Sequence, residues 1–164
     1  MKKEYNIRPV KVEDYDTLVA WWESYDHMLV PSMELLPENG QSGLVIEKEG
    51  RMISAAFVYL TNSDMGYIDF MVSDPNYKGR DRFEMITQLI QACSELAIEL
   101  GCRIIWAMTT YDGIVKRCEK LNYDILPDKH NLIYTHHQAQ ESVVKKQKNG
   151  ESSWLSLFTK DLNG

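Results

Sequence analysis

A strand pattern, a short polar turn and a long helix pattern follow one another directly between residues 66 and 100. Residues 66–72 form an apolar run that is typical of a strand, and from Phe83 onward apolar residues recur every three or four positions, as on one face of a helix. Gly101 predicts the end of that helix. A helix entered from a strand through a tight turn presents unpaired backbone N–H groups and the positive end of its dipole. The turn therefore predicts a site for a phosphate-bearing ligand.

The remaining patterns place this unit in an α/β domain with a mixed, mostly antiparallel sheet flanked by helices, in the order β-α-β-β-β-α-β-α-β-β. Pro9 restricts the first strand to a sheet edge or a strand end. The 103–108 run is apolar throughout, which predicts a strand buried on both faces. The predicted strands are residues 5–10, 43–49, 52–60, 66–72, 103–108, 123–126 and 132–135, and the predicted helices are residues 12–25, 83–100 and 112–121.

Length and composition exclude several classes of function. A chain of 164 residues fits one domain, and a net charge of −6 argues against nucleic acid as a partner. Three cysteines without a Cys-x-x-Cys spacing predict neither a disulfide nor a metal site. No apolar run reaches the length of a membrane span, and the polar, charged start contains no signal-peptide core, so we expect a cytoplasmic protein that has no membrane partner.

The composition changes near the end of the chain. After His137 the sequence becomes polar, and it then closes with an apolar cluster at residues 154–158. This shift predicts a domain over residues 1–137 and an extension over residues 138–164. The apolar cluster predicts that the extension packs on a surface, either its own domain or a partner subunit in a homodimer.

Three segments carry a resemblance to a known family. Ile7-Arg8-Pro9 followed by Glu13-Asp14, residues 68–79 (Ile-Asp-Phe-Met-Val to Lys-Gly), and residues 118–123 (Cys-Glu-Lys-Leu-Asn-Tyr) occur in that order. They resemble the first strand and helix, the fourth strand with the pyrophosphate loop, and the late YEKLGF signature of the GNAT superfamily of acetyl-CoA-dependent N-acetyltransferases. The resemblance spans about residues 5–135.

The resemblance implies a GNAT-type enzyme that moves an acetyl group from acetyl-CoA to a primary amine of a small molecule, a protein lysine or an N-terminus. It implies Asp69 as the general base and Cys118, in place of a tyrosine, as the acid for the departing thiolate. Asp69 could equally pair with a lysine or arginine, and Cys118 could be a small buried residue. The cofactor-binding residues that the resemblance implies are Phe70, Val72, Lys78, Gly79, Arg80, Arg82 and Tyr111.

The turn departs from the family pattern because Lys78, Asp81 and Phe83 stand at its three marked positions, two of which are normally small. The capping-box pattern from Asp81 to Glu84 predicts that the Asp81 carboxylate accepts the backbone N–H of Phe83 or Glu84 and so closes the anion site. Arginine side chains in the turn could still hold phosphate oxygens. Similar glycine-poor folds occur among phage and prophage proteins. The alternative function is therefore a non-catalytic binding or inhibitory module that has lost CoA.

Overall fold

The computed structural model describes residues 5–26 and 28–126. Eight helices and strands follow the predicted order β-α-β-β-β-α-β-α over this part of the chain. They are β1 (Tyr5–Pro9), α1 (Tyr15–Glu23), β2 (Gly43–Lys48), β3 (Arg51–Leu60), β4 (Met65–Ser73), α2 (Arg82–Glu99), β5 (Ile104–Trp106) and α3 (Asp112–Lys120). The predicted α/β class with a mixed, mostly antiparallel sheet is confirmed.

The five described strands form one sheet in the order β1-β2-β3-β4-β5. The first three ladders are antiparallel, whereas β5 pairs with β4 in parallel. The β4–β5 ladder begins at Met65↔Ile104 and ends at Tyr67↔Trp106, although β4 continues to Ser73. The two strands therefore no longer pair beyond Tyr67, and we call this point the splay.

The two faces of the sheet carry separate apolar cores because side chains alternate along each strand. On one face α2 packs Met85 and Leu89 against Ile46 and other strand residues. On the opposite face α1 packs Leu18 and Trp22, both fully buried, against β-strand side chains. The long helix thus lies across the sheet as its sequence pattern predicts.

A bulge interrupts β4 at the splay. Ala55 of β3 is opposite Val72 and Phe57 is opposite Asp69, so two residues of β4 stand opposite one residue of β3. Phe70 within the bulge has φ 49, in the left-handed region that side chains disfavour. As a result Phe70 packs with the α1-side core, on the face to which Asp69 also belongs.

Two strand predictions are wrong. The 103–108 run forms a strand only over Ile104–Trp106, and it is not buried on both faces, since Ile104 and Trp106 are largely exposed. β5 is the last strand of the described sheet, so no described strand pairs with its outer edge. Residues 123–126 follow α3 without strand structure.

Several predictions lie beyond the described residues and stay predictions. They are the strand at residues 132–135, the domain boundary at residue 137 and the packing of the 138–164 extension. Within the described ranges, no helix is long and apolar enough to span a membrane. The same part of the chain contains no group of three or more histidine, cysteine, aspartate or glutamate residues that could hold a metal ion.

Candidate active site

Asp69 lies on β4 just beyond the point where β4 and β5 separate. Its carboxylate accepts the backbone N–H of Phe70 at 2.7 Å. No lysine or arginine of the described residues forms an ion pair with it. The described residues therefore contain no partner for the structural ion pair that was the alternative role of Asp69.

Four aromatic side chains form a series of ring contacts on and beside β4, and we call Tyr59, Tyr67, Phe70 and Trp106 the aromatic cluster. The Tyr67 and Trp106 ring centroids lie 4.8 Å apart, across the last pair of the β4–β5 ladder. Tyr59 lies 6.2 Å from Tyr67 and 6.3 Å from Phe70. Because 43% of Trp106 is exposed, the cluster opens to solvent at its β5 end.

The two tyrosines of the aromatic cluster keep their protons at neutral pH. Burial and then the nearby charge of Asp69 raise the pKa of Tyr67 to about 12. The same causes, in the same order, raise the pKa of Tyr59. The Tyr59 hydroxyl donates to the carbonyl of Leu35 at 3.0 Å, which ties the aromatic cluster to the segment after α1. The tyrosines therefore add hydroxyl groups but no negative charge.

The turn between β4 and α2 is organised around Asp74, whose side chain is 9% exposed. One carboxylate oxygen accepts the N–H of Asn76 at 2.8 Å, and the other accepts Arg51 Nε at 3.0 Å. Arg82 closes the turn because its Nη1 donates to the carbonyls of Asp74 and Tyr77 at 2.7 and 2.8 Å. Arg82, predicted to bind the cofactor, thus has its guanidinium engaged by the turn itself.

The prediction that Asp81 caps α2 is wrong. Its carboxylate accepts Lys48 Nζ at 2.7 Å and the Tyr77 hydroxyl at 2.6 Å, and no side chain caps the helix. The bond from Lys48 and that from Tyr77 lower the pKa of Asp81, in that order of size. A charge-assisted bond to an ammonium is stronger than one to a neutral backbone N–H, which explains the preference. The Asp81 carboxylate therefore does not accept the first backbone N–H groups of α2.

Gly79 makes this arrangement of the turn possible. A Cβ atom at position 79 would overlap both the Tyr77 hydroxyl and the Asp81 carboxylate. Lys78 and Arg80, on either side of it, are exposed and form no ion pair within the described ranges. The turn thus presents two unengaged cations beside the start of α2.

Arg117 on α3 is a residue that the sequence reasoning missed. It is 8% exposed, its Nε donates to the carbonyl of Phe83 at 3.2 Å, and its guanidinium lies 4.4 Å above the Phe83 ring. Burial and then the charge of Arg82 lower its pKa, and no described acid forms an ion pair with it. A buried cation without an anionic partner is costly. The only sequence signal was its position directly before the 118–123 segment.

The remaining predicted site residues are Cys118, Tyr111 and Val72. Cys118 is half-buried on α3, and burial raises the pKa of its thiol, so the thiol keeps its proton at neutral pH. Tyr111 stands at the start of α3 with half of its surface exposed. Val72 is buried in the α1-side core. The structure brings Asp69 and Phe70 together at the splay and residues 78–82 together in the turn, but no described contact joins Asp69 to Cys118.

Comparisons with known proteins identify the fold. No family model matches the sequence, and no curated protein matches it. Among solved structures, a Mycobacterium tuberculosis protein in complex with CoA is similar with a TM-score of 0.58 and 17% identity, over 68% of this chain and 69% of that one. An aminoglycoside acetyltransferase from an uncultured soil metagenomic sample gives a TM-score of 0.60 and 16% identity, over 83% and 99%.

A third similar structure is the N-acetylglutamate synthase of Neisseria gonorrhoeae complexed with coenzyme A and N-acetyl-glutamate. Its TM-score is 0.60 at 18% identity, over 73% of this chain but 28% of that protein, so this chain spans less than a third of it. A GCN5-related N-acetyltransferase from Ralstonia eutropha is similar over 98% of its own length. The chain therefore has the GNAT fold.

Proposed function

We propose that this GNAT-fold protein is an acetyl-CoA-dependent N-acetyltransferase that acts on a primary amine. The observation that carries the proposal is the carboxylate of Asp69, which has no described cationic partner and lies where β4 and β5 separate. A carboxylate that is partly withdrawn from water and free of an ion pair is available to take a proton from a bound ammonium group. Two of the similar structures named above contain CoA, which agrees with this assignment.

The residues of this chain fit an anionic, elongated cofactor. Beyond Tyr67 the edge of β4 has no ladder with β5, so its backbone polar groups there can pair with the thioester arm of acetyl-CoA. Near the turn, the start of α2 has no side-chain cap and lies beside Arg117. A helix N-terminus and a buried guanidinium both favour negative charge, so this region suits the diphosphate.

The exposed cations of the turn add to the same region. We propose that Lys78 and Arg80 contact cofactor phosphates from solvent, while Arg82 holds the turn in shape through its carbonyl bonds. Contacts through exposed side-chain charges are screened by salt. Acetyl-CoA affinity should therefore fall as ionic strength rises.

When bound, acetyl-CoA supplies the activated acetyl group. Asp69 takes the proton of the acceptor ammonium, directly or through one water molecule, and leaves a neutral amine that can attack the thioester carbon. Cys118 is our proposed proton donor to the departing sulfur, because its raised pKa keeps the thiol protonated at neutral pH. The bulge at Phe70 fixes the backbone beside the base.

Thermal melting and a kinetic assay test the proposal. Acetyl-CoA at 100 times its dissociation constant should stabilise the protein by about 2.7 kcal/mol, which raises the melting temperature by about 5–11 °C for a chain of this size. Asp69→Asn should retain this shift and its own melting temperature but lose amine-dependent release of the CoA thiol. Asp64→Asn is the matched control, since Asp64 is exposed and lies at the β3–β4 connection.

Two results would contradict the proposal. An unchanged melting temperature in the presence of acetyl-CoA would favour the non-catalytic module instead. Equal loss of stability and activity in Asp69→Asn would make Asp69 a structural residue, because a general base contributes to the transition state and not to folding.

A further inference from the structure

The neighbourhood of Asp69 has a simple charge pattern. The ladder pairs Tyr59 with Tyr67 and Phe57 with Asp69, so Tyr59, Tyr67 and Asp69 lie on the same sheet face. Asp69 is also the one carboxylate among the described residues whose charge raises the pKa of both tyrosines. Both tyrosines are neutral, and the other two members of the aromatic cluster carry no charge. The described part of the site therefore offers a single negative charge within an aromatic surface.

No described positive charge accompanies it. No lysine or arginine of residues 5–26 and 28–126 pairs with Asp69, and the cation–π contacts within these ranges involve Tyr77 and Phe83 instead of the aromatic cluster. An acceptor that carries its own carboxylate would find no described cation to pair with. An acceptor with several ammonium groups would leave all but one unpaired against apolar rings.

The aromatic cluster offers a surface for a ring. Tyr67 and Trp106 form a tilted pair, with 49° between their planes, and 43% of Trp106 remains exposed. Aromatic pairs prefer offset or edge-to-face geometry, so an additional ring can join such a pair at its open side.

From this juxtaposition we infer that the acceptor is an aromatic monoamine, with one primary ammonium group held by Asp69 and a planar apolar body packed on Tyr67 and Trp106. The inference rests on the proposed function and specifies its substrate class. In the reaction the ammonium proton passes to Asp69, and the nitrogen lone pair forms the C–N bond. The C–S bond breaks with its electron pair on sulfur, which takes a proton from Cys118 and leaves as the CoA thiol. The surplus N–H proton of the new amide nitrogen returns to Cys118, and Asp69 releases the first proton to solvent.

A panel of amines tests the substrate class. Initial rates of CoA thiol release should give 2-phenylethylamine a kcat/KM at least tenfold higher than glutamate or spermidine. Trp106→Leu should raise the KM for 2-phenylethylamine about fivefold and change kcat little, because the lost ring contact contributes to binding. Trp106→Phe, which restores a ring, should recover most of the KM. Glutamate or spermidine as the best acceptor, or an equal effect of Trp106→Leu on all amines, would overturn the inference.

A binding measurement separates this inference from the proposed function. N,N-dimethyl-2-phenylethylamine carries the same ring and charge but cannot yield a stable neutral acetamide, so calorimetry can measure its binding without acetyl-CoA. Binding that weakens about fivefold in Trp106→Leu supports the aromatic acceptor site even if acetyl-CoA fails to bind. If acetyl-CoA binds and this amine does not, the inference fails and the proposed acetyltransferase stands.

Discussion

Replacing Asp74 with alanine should loosen the turn between β4 and α2. The variant loses the contacts of the carboxylate with Arg51 and with the N–H of Asn76. The bond from Arg82 to the Asp74 carbonyl remains available, since it involves the backbone. Asp74→Asn is the matched variant because its side-chain oxygen can still accept the N–H of Asn76 while the ionic partner is lost.

The structure sets the magnitude. Hydrogen bonds to charged groups contribute about 1.5–3 kcal/mol each to stability. The Asp74 side chain is 9% exposed, but that of Arg51 is 53% exposed, so solvent screens the ionic contribution. We expect the free energy of unfolding to fall by about 3 kcal/mol in Asp74→Ala and about 1 kcal/mol in Asp74→Asn. The melting temperatures should fall by about 6–12 °C and about 2–4 °C, respectively.

The pH dependence gives a second measurement. Burial raises the pKa of Asp74, but the bonds from Arg51 and Asn76 outweigh it and hold the pKa below its ordinary value. The unfolded chain therefore takes up this proton first as pH falls. The stabilisation is present above the ordinary carboxyl pKa of about 4 and is lost as pH falls through the lower, folded value.

Urea unfolding at pH 7 and at pH 3 measures both effects. The difference in free energy of unfolding between the wild type and each variant should be smaller at pH 3 than at pH 7. Surface substitutions usually change the free energy of unfolding by no more than about 0.5 kcal/mol. If Asp74→Ala differs from the wild type by no more than this at pH 7, the carboxylate does not organise the turn. A difference that does not change with pH would show that the ionised form is not what stabilises it.

Two further variants probe other charges. Arg8→Met should lower the free energy of unfolding by about 3 kcal/mol at pH 7, because Arg8 pairs with the buried Asp14 at 2.7 Å and with Glu47 at 2.9 Å. Asp14→Asn, measured in parallel, should lower it by less if the unpaired buried charge causes the destabilisation of Arg8→Met. Arg117→Met should weaken acetyl-CoA binding about tenfold by calorimetry, whereas the affinity for acetyl-pantetheine, which lacks the diphosphate, should hardly change. Equal weakening of both ligands would instead show that Arg117 has a structural role through its contact with Phe83.

The local periodicity of apolar residues predicted most of the helices and strands. The pattern of α2 depends on contacts between its own turns and one sheet face, so its observed bounds, Arg82–Glu99, lie within a residue of the prediction. An apolar run cannot show whether its strand is central, however, and β5 proved to be the last described strand.

The site was less predictable because its decisive contacts join distant segments. The capping pattern at Asp81 describes bonds within four residues, but its carboxylate pairs with Lys48, 33 positions away in sequence. The burial of Arg117 depends on how α3 packs on the start of α2, which no local pattern encodes. By contrast, the local strand pattern over residues 66–72 placed Asp69 on β4, where the structure has it.

The β2–β3 hairpin is connected by ion pairs to the turn between β4 and α2. Two ion pairs, Lys48–Asp81 and Arg51–Asp74, connect residues on either side of the hairpin tip to the two ends of the turn. Any movement of the tip must therefore shift the turn or break a pair. Sequence changes at the hairpin tip can therefore alter the position of the turn and, with it, the proposed anion site at the start of α2.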